Sequence, residues 1–355
     1  MKVHLLFEHG GDSRPHGCSH IRLLLPFAHA RNANLIEWTT GTSYDGGADI
    51  VVVERMWRPD HITIAEAQAL IARVRADGAR LVYTLDDNLL DLTPWSALQR
   101  GLSDEQRAVV RLFARAADGI VVSTEPLRQR MSRLNPRVVV VPNAVDETLF
   151  RLDAPQPVRD SGAPLTIGLM GTFSHDGDLM MVLEPLRAVL RRHAGRVRLQ
   201  IVGAVGDEAV LGAFDGLPVE TLNRDRPVAY PEFVAWMVDT LRWDLALAPL
   251  EDTPFTRCKS DLKLLDYAAL GIPGIFSHVT PYAASVRHRQ TGWLAANDVG
   301  AWREALESLI ADGEQRRDIA LRGREYVRAE RTLARTADAW PRALAELSGA
   351  VQPVS

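Results

Sequence analysis

Cysteine is nearly absent: Cys18 and Cys258 are the only two in 355 residues, far apart and without paired spacing. That argues against a disulfide scaffold and against structural zinc, and it suits a reducing compartment. Long apolar runs are also missing. The opening MKVHLLFEHGG is broken by His4 and ended by Glu8 and His9, too short for a signal-peptide core, and nowhere is there an uncharged apolar stretch of about 18 residues. The expectation is a cytoplasmic protein, with peripheral contact to the inner face of the membrane left open. Charge of one sign is not in excess either. A net charge of −4 provides no global field for nucleic acid or anionic lipid. No 20–50-residue period recurs, which excludes a solenoid.

What is present is an ordinary globular composition, 46% hydrophobic and 24% charged, in a chain long enough for two domains. Short apolar runs alternate with longer helical patterns, the mark of parallel sheets covered by helices. Strands are predicted at 2–7, 49–54, 80–85, 119–123 and 138–141, then at 165–170, 198–202, 244–248 and 274–277. Helices are predicted at 64–76, at 104–117 with Ser103 as N-cap, and at 179–190. Between the two series lies RLDAPQPVRDSGAP, residues 151–164, rich in Pro, Gly and charge. The predicted fold class is α/β, with two Rossmann-like, doubly wound parallel-sheet domains facing across a cleft. Residues 1–150 form the first domain, 151–164 the linker and 165–335 the second domain; 336–355 form a C-terminal helix free to pack back on the first. Ligands of such sheets bind beyond the carboxyl ends of the strands.

The stretch RCKSDLKLLDYAALGIP, residues 257–273, has both helix ends written into it. Ser260 suits the N-cap, Asp261 the first helical position and Gly271 a left-handed C′, and Pro273 forbids continuation. A helix N-terminus offers free N–H groups and partial positive charge to a diphosphate. Arg257, Lys259 and Lys263 gather cations there, opposing the dipole unless an anion sits among them. Asp266, about 8 Å further along the axis at 1.5 Å per residue, is placed to accept hydrogen bonds from ribose hydroxyls. The same residues suit a plain surface helix with solvated charges equally well.

KSDLKLLDYAALGIPGIFS resembles the signature region of glycosyltransferase family 4, retaining enzymes of the GT-B fold, in a KSDLK-type branch. LVYTLDDNLLDL, GIVVSTEPLRQRMSRLNPRVVVVPNAVD, LTIGLMGTFSHDGDL and GREYVRAERTL resemble further segments of that family in the same order. The resemblance implies nucleotide-sugar binding by the second domain and acceptor binding by the first. By position, Asp266 would hold the ribose, and Lys259, Ser260 and the amides after it, with Asp261 and Lys263, would meet the diphosphate. Gly171 and Thr172 would let backbone approach the donor phosphates, since a Cβ obstructs close approach. The chain departs from the family in two places: Cys258 stands where its first paired Glu is expected, and Ser174, His175, Asp176 and Asp178 replace its usual Arg…Lys pair.

In the first half, Asp86 and Asp87 stand where the family often carries a catalytic histidine. An acid there could orient the acceptor hydroxyl or stabilise charge developing at the sugar; an Asx turn at a strand end is the plain alternative. Adjacent Asp side chains on a strand point to opposite faces, so they do not suggest a metal pair, and no metal or other cofactor is expected. Gly10 and Gly11 allow a tight loop at the cleft, and His20 and Arg22 are candidates for contact with acceptor or donor phosphate. The implied activity moves a hexose-type sugar, with retention, from a nucleotide-diphosphate sugar to a glycan or lipid-linked acceptor in envelope or exopolysaccharide synthesis. The alternative is a catalytically degenerate homologue that binds the nucleotide-sugar as a sensor or partner protein.

Overall fold

Twelve short strands form two six-stranded parallel sheets in the computed structural model, which describes residues 1–58, 62–92, 102–154, 163–171, 176–203, 208–222 and 229–349. The first sheet comprises β1 (Lys2–Leu6), β2 (Glu37–Gly41), β3 (Ile50–Glu54), β4 (Arg80–Leu85), β5 (Gly119–Val122) and β6 (Val138–Val140), in the order β2-β1-β3-β4-β5-β6. The second comprises β7 (Leu165–Gly171), β8 (Val197–Gly203), β9 (Val219–Thr221), β10 (Leu245–Ala248), β11 (Gly274–Ser277) and β12 (Trp293–Ala295), ordered β12-β11-β10-β7-β8-β9. The main helices are α1 (Ile64–Ala76), α2 (Asp104–Ala116), α3 (Glu125–Met131), α4 (Asp176–Arg192), α5 (Tyr230–Thr240), α6 (Leu262–Ala269), α7 (Val299–Ala311), α8 (Gly313–Glu330) and α9 (Ala339–Ser348).

Each sheet is buried on both faces, as parallel sheets with helical crossovers require. On one face of the first sheet Val51, Val53 and Leu81 pack with Ile71, Val74, Val110 and Phe113 of α1 and α2. On the other, Val3, Leu5, Val52 and Val121 pack with Phe27 and with Trp340, Leu344 and Leu347 of α9. The C-terminal helix thus covers the first sheet, although it follows the second in sequence. The chain returns there beside β6: Val145 N–H donates to Arg331 O at 3.0 Å and Leu333 N–H to Val145 O at 2.9 Å.

Helix boundaries follow local chemistry. Thr63 with Glu66, and Ser103 with Gln106, close reciprocal capping boxes at α1 and α2. In the second sheet Gly168 is demanded by packing, because a Cβ there would fall inside the ring of the fully buried Trp243. Arg324 of α8 ties the segment after the first domain to α6, donating to Leu152 O at 2.8 Å, Ala154 O at 3.0 Å and Ala269 O at 3.0 Å.

Candidate functional site

The carboxyl ends of the two sheets meet at α6. Helix α6 begins at Leu262, one residue later than the sequence suggests, with Asp261 at the N-cap position and no side chain capping it. The expected cap, Ser260, and Asp261 after it are both recruited elsewhere, and the helix starts one residue late. The Ser260 hydroxyl accepts from Asn143 Nδ2 at 2.9 Å, and the Asp261 carboxylate accepts from Arg331 Nη1 and Nη2 at 2.7 and 2.9 Å. The helix end therefore presents N–H groups that no side chain occupies, the arrangement that receives an anion. At its other end Gly271 takes φ +66°, the left-handed C′ expected of it, and Ile272 N–H returns to Tyr267 O at 2.8 Å.

In the first turn of α6 Lys263 is half-buried, and one turn in Asp266 is 7% exposed. Burial pushes the Asp266 carboxyl up to about 7, with Lys263 partly opposing the rise. Burial also brings Lys263 down to about 8, opposed chiefly by Asp178. Asp266 Oδ1 is buried and accepts no hydrogen bond, so a ligand hydroxyl arriving there satisfies an orphaned acceptor. Tyr230 of α5 lies within electrostatic reach of Asp266 and stacks on His20, ring centroids 6.4 Å apart. His20 thereby reaches the second domain from the first, with burial lowering its pKa.

On the first-domain side, Asp86 and Asp87 follow the end of β4 and both turn to Arg55, whose Nη1 lies 2.7 Å from Asp86 Oδ1 and 3.3 Å from Asp87 Oδ2. The expectation that the two carboxylates diverge is corrected: they sit in the turn past the strand, where the pleat no longer alternates side chains. Arg55 holds φ +48°, an uncommon conformation for a side chain of its size, and its Nε also pairs with Glu8 at 2.9 Å. Burial works against the Arg55 charge, but Glu8, Asp86 and Asp87 outweigh it and hold the guanidinium ionised. Beneath, Glu54 is 1% exposed and burial raises its carboxyl to about 7. Lys259 completes the group from the second domain, its Nζ 3.2 Å from Asp87 Oδ1 and 4.6 Å above the centre of the Phe255 ring.

Other expected residues are placed differently. Arg22 is enclosed, 2% exposed; its Nη1 donates to Val141 O at 2.6 Å and Asn143 Oδ1 at 2.9 Å, with Trp340 below. This makes it a brace for the end of β6 instead of a group facing the cleft. Gly10 and Gly11 lie in a loop closed by a His9–Pro15 bridge, but its left-handed residue is Ser13, and a Cβ at either glycine meets nothing closer than 3.6 Å. The tight turn therefore does not depend on them. Arg257 is exposed and bound in a fork to Asp252 at 2.7 and 2.9 Å, on the rim of an 820 Å³ cavity that also meets Asn88, Arg130 and Cys258. Gly171 closes β7 opposite Gly203; Thr172, Ser174 and His175 lie outside the described residues. Asp178, noted in sequence only as a departure, accepts from Glu251 N–H at 2.9 Å.

Cys258 is 5% exposed and packs into the core of the first domain, and its carbonyl accepts from Thr124 Oγ1 at 2.8 Å. Folding of the first loop brings one cysteine beside other ligand-type groups. Cys18, His16 and Glu8 bring ligand atoms within 4.8 Å of one another, though the Glu8 charge is already matched by Arg55. Arg55, Thr124 and Asn143 were not singled out from sequence. The available signal was their position, each just past the carboxyl end of a parallel strand.

No protein-family model and no curated protein matches the chain. Solved structures do. The chain is similar to HepE of Anabaena, solved with UDP and glucose, at TM-score 0.66 and 13% identity over 98% of this chain and 100% of that one. It is similar to a glycosyltransferase of Rickettsia africae at TM-score 0.63 and 12% identity, over 99% of each chain. Against TarM of S. aureus, solved with UDP, the TM-score is 0.62 at 10% identity, covering 85% of this chain and 55% of the TarM chain. At these identities the likeness establishes the fold, and the fold is GT-B: two Rossmann-like domains facing each other.

Proposed function

We propose that this protein is a glycosyltransferase that takes a nucleotide-diphosphate sugar on the second domain and passes the sugar to an acceptor held against the first. The observation that carries the reading is α6. Its uncapped N-terminus lies between Lys259 and Lys263, and one turn on is Asp266, whose buried Oδ1 has no partner. A diphosphate at the helix start gains the amides and both ammonium groups. A ribose beside Asp266 supplies the missing hydroxyl donors, which also favours the ionised carboxylate.

Supporting the wider reading are the ordered family-4 motifs and the ligands named for the similar structures, UDP with glucose in HepE and UDP in TarM. On that support the transfer proceeds with retention, from a hexose-type donor to a glycan or lipid-linked acceptor in envelope or exopolysaccharide synthesis, at the cytoplasmic side. Among the described residues no helix is long and apolar enough to cross a membrane, so a lipid-linked acceptor would be met at the surface. Lys259, Lys263 and the helix dipole oppose the charge developing on the leaving diphosphate. Asp86 and Asp87 share Arg55 with Glu8, and Asp87 also pairs with Lys259; the two cations hold Asp87 ionised, which makes it a weak proton acceptor until one of them moves.

A second reading, a nucleotide-sugar sensor without turnover, is favoured by one observation: Cys258, at the position of the family's first paired Glu, is buried in the first-domain core. Product formation from bound donor separates the two. The reading itself is tested by thermal unfolding in the presence of UDP, GDP, dTDP, ADP and CMP. A ligand at a hundred times its Kd stabilises the fold by about 2.7 kcal/mol. A clear shift with one diphosphate is expected; a folded protein that responds to none contradicts the donor site.

A further inference from the structure

The loop that leads into α6 is gripped by the first domain at three consecutive residues, each by a group just past a different strand. Thr124, past β5, donates to Cys258 O at 2.8 Å. Asp87, past β4, pairs with Lys259 Nζ at 3.2 Å. Asn143, past β6, donates to Ser260 Oγ at 2.9 Å. Of the three, only the Asp87 contact is ionic, and it uses the ammonium that the donor diphosphate needs. Both partners are about three-quarters buried, 22% and 26% exposed, so the pair is screened less than one at the surface. Burial tends to raise the Asp87 pKa, but Lys259 and Arg55 outweigh it and keep the carboxylate ionised.

Resting on the donor-site reading above, we propose that Asp87 is a placeholder for the donor diphosphate, a positioning residue that neutralises Lys259 while the site is empty. Without it, Lys259 would stand beside a positive helix end with no counter-charge, an arrangement the dipole disfavours. When donor arrives, the phosphate takes Lys259, and Asp87 stays ionised because Arg55 remains beside it. The exchange swaps one anion for another at Lys259, so the ammonium is never left without a counter-charge. It loosens the ionic bond between the domains only when donor is present, while the neutral contacts of Thr124 and Asn143 persist. Asp87 therefore lowers donor affinity in the resting protein and becomes free to face the acceptor side once donor is bound.

The test titrates UDP, GDP, dTDP and ADP into the full-length protein by calorimetry, then carries the tightest into Asp87→Asn, Lys259→Ala and the double variant. Competition from a partly buried ion pair is on the order of 1 kcal/mol, so Asp87→Asn is expected to tighten binding about threefold to tenfold. Asp87→Glu should restore the wild-type affinity. In the Lys259→Ala background the Asp87→Asn change should lose most of its effect, because the competition runs through Lys259 and not through the general field. Unchanged or weaker binding in Asp87→Asn overturns the proposal, as does an equal gain with and without Lys259. If Asp87→Asn fails to fold, as judged by its thermal transition, Asp87→Ser is measured against the same criteria. Failure of all four diphosphates to bind the wild type would instead remove the donor-site reading on which the proposal rests.

Discussion

Asp266 carries a buried carboxylate oxygen without a hydrogen bond, and its neighbour along the helix, Lys263, is drawn down by the same burial. The two titrate in opposite senses for binding. Asp266 accepts ribose hydroxyls best when ionised, above about 7, and Lys263 meets phosphate best when protonated, below about 8. Diphosphate affinity should therefore rise through neutral pH and fall again on the alkaline side. Asp266→Asn should flatten the acid limb and Lys263→Ala the alkaline limb, each read by calorimetry across pH 6 to 9, an interval of about that span set by the two shifted groups. The ligand's own ionisation is common to all variants and cancels in the comparison. For the fold alone the sign differs. Between about 4 and about 7 the native state holds a proton on Asp266 that the unfolded chain has released, so stability falls as pH rises through that window. The test is the difference between wild type and Asp266→Asn, since other shifted carboxyls, Glu54 among them, are common to both; an identical slope in the two would contradict the burial assigned to this group.

At the scale of elements, what the sequence announces is what has strong local chemistry. α1 runs over Ile64–Ala76, the stretch predicted as helical, and Ser103 caps α2 as expected. Three strands were not legible. β2 is an edge strand of mostly exposed, polar residues, Glu37–Gly41, and β9 and β12 are edge strands of three residues each. β2 and β9 are specified by pairing with no apolar run to betray them, whereas β12, Trp293–Ala295, is apolar but only three residues long. At the site, the ends of α6 were legible to within a residue because Gly271 and Pro273 are local signals. The use of Ser260 and Asp261 was not, since it is decided by Asn143 and Arg331, 117 and 70 residues away. The divergence expected of Asp86 and Asp87 failed for a related reason: strand alternation ended one residue earlier. Packing under β7 offers an independent check on the second sheet. Gly168→Ala forces a methyl into the ring of Trp243 and should destabilise the protein by about 3 kcal/mol, measured by urea unfolding. A loss under about 0.5 kcal/mol, no more than a surface substitution brings, would place Trp243 elsewhere.

Over the whole molecule, the two sheets are joined by more than a linker. α9 packs on the first sheet after the chain has built the second, Arg324 binds the start of the interdomain segment to α6, and Arg331 links Asp261 to Asn143 O at 3.2 Å. Helix α6 is thus held in register with the strand ends of the first domain by groups from distant parts of the chain. That register lets a ligand on α6 be felt at Asp87 and Arg55. The most direct test of the account is the affinity of the best-binding nucleoside diphosphate for wild type and for Asp266→Ala, with the thermal transition of each recorded alongside. A folded variant whose affinity drops at least about tenfold is expected, the loss of about 1.4 kcal/mol of hydrogen bonding to a charged acceptor. A folded variant that binds the diphosphate as tightly as wild type would show that the nucleotide is not held at Asp266, and the donor site assigned to α6 would be wrong.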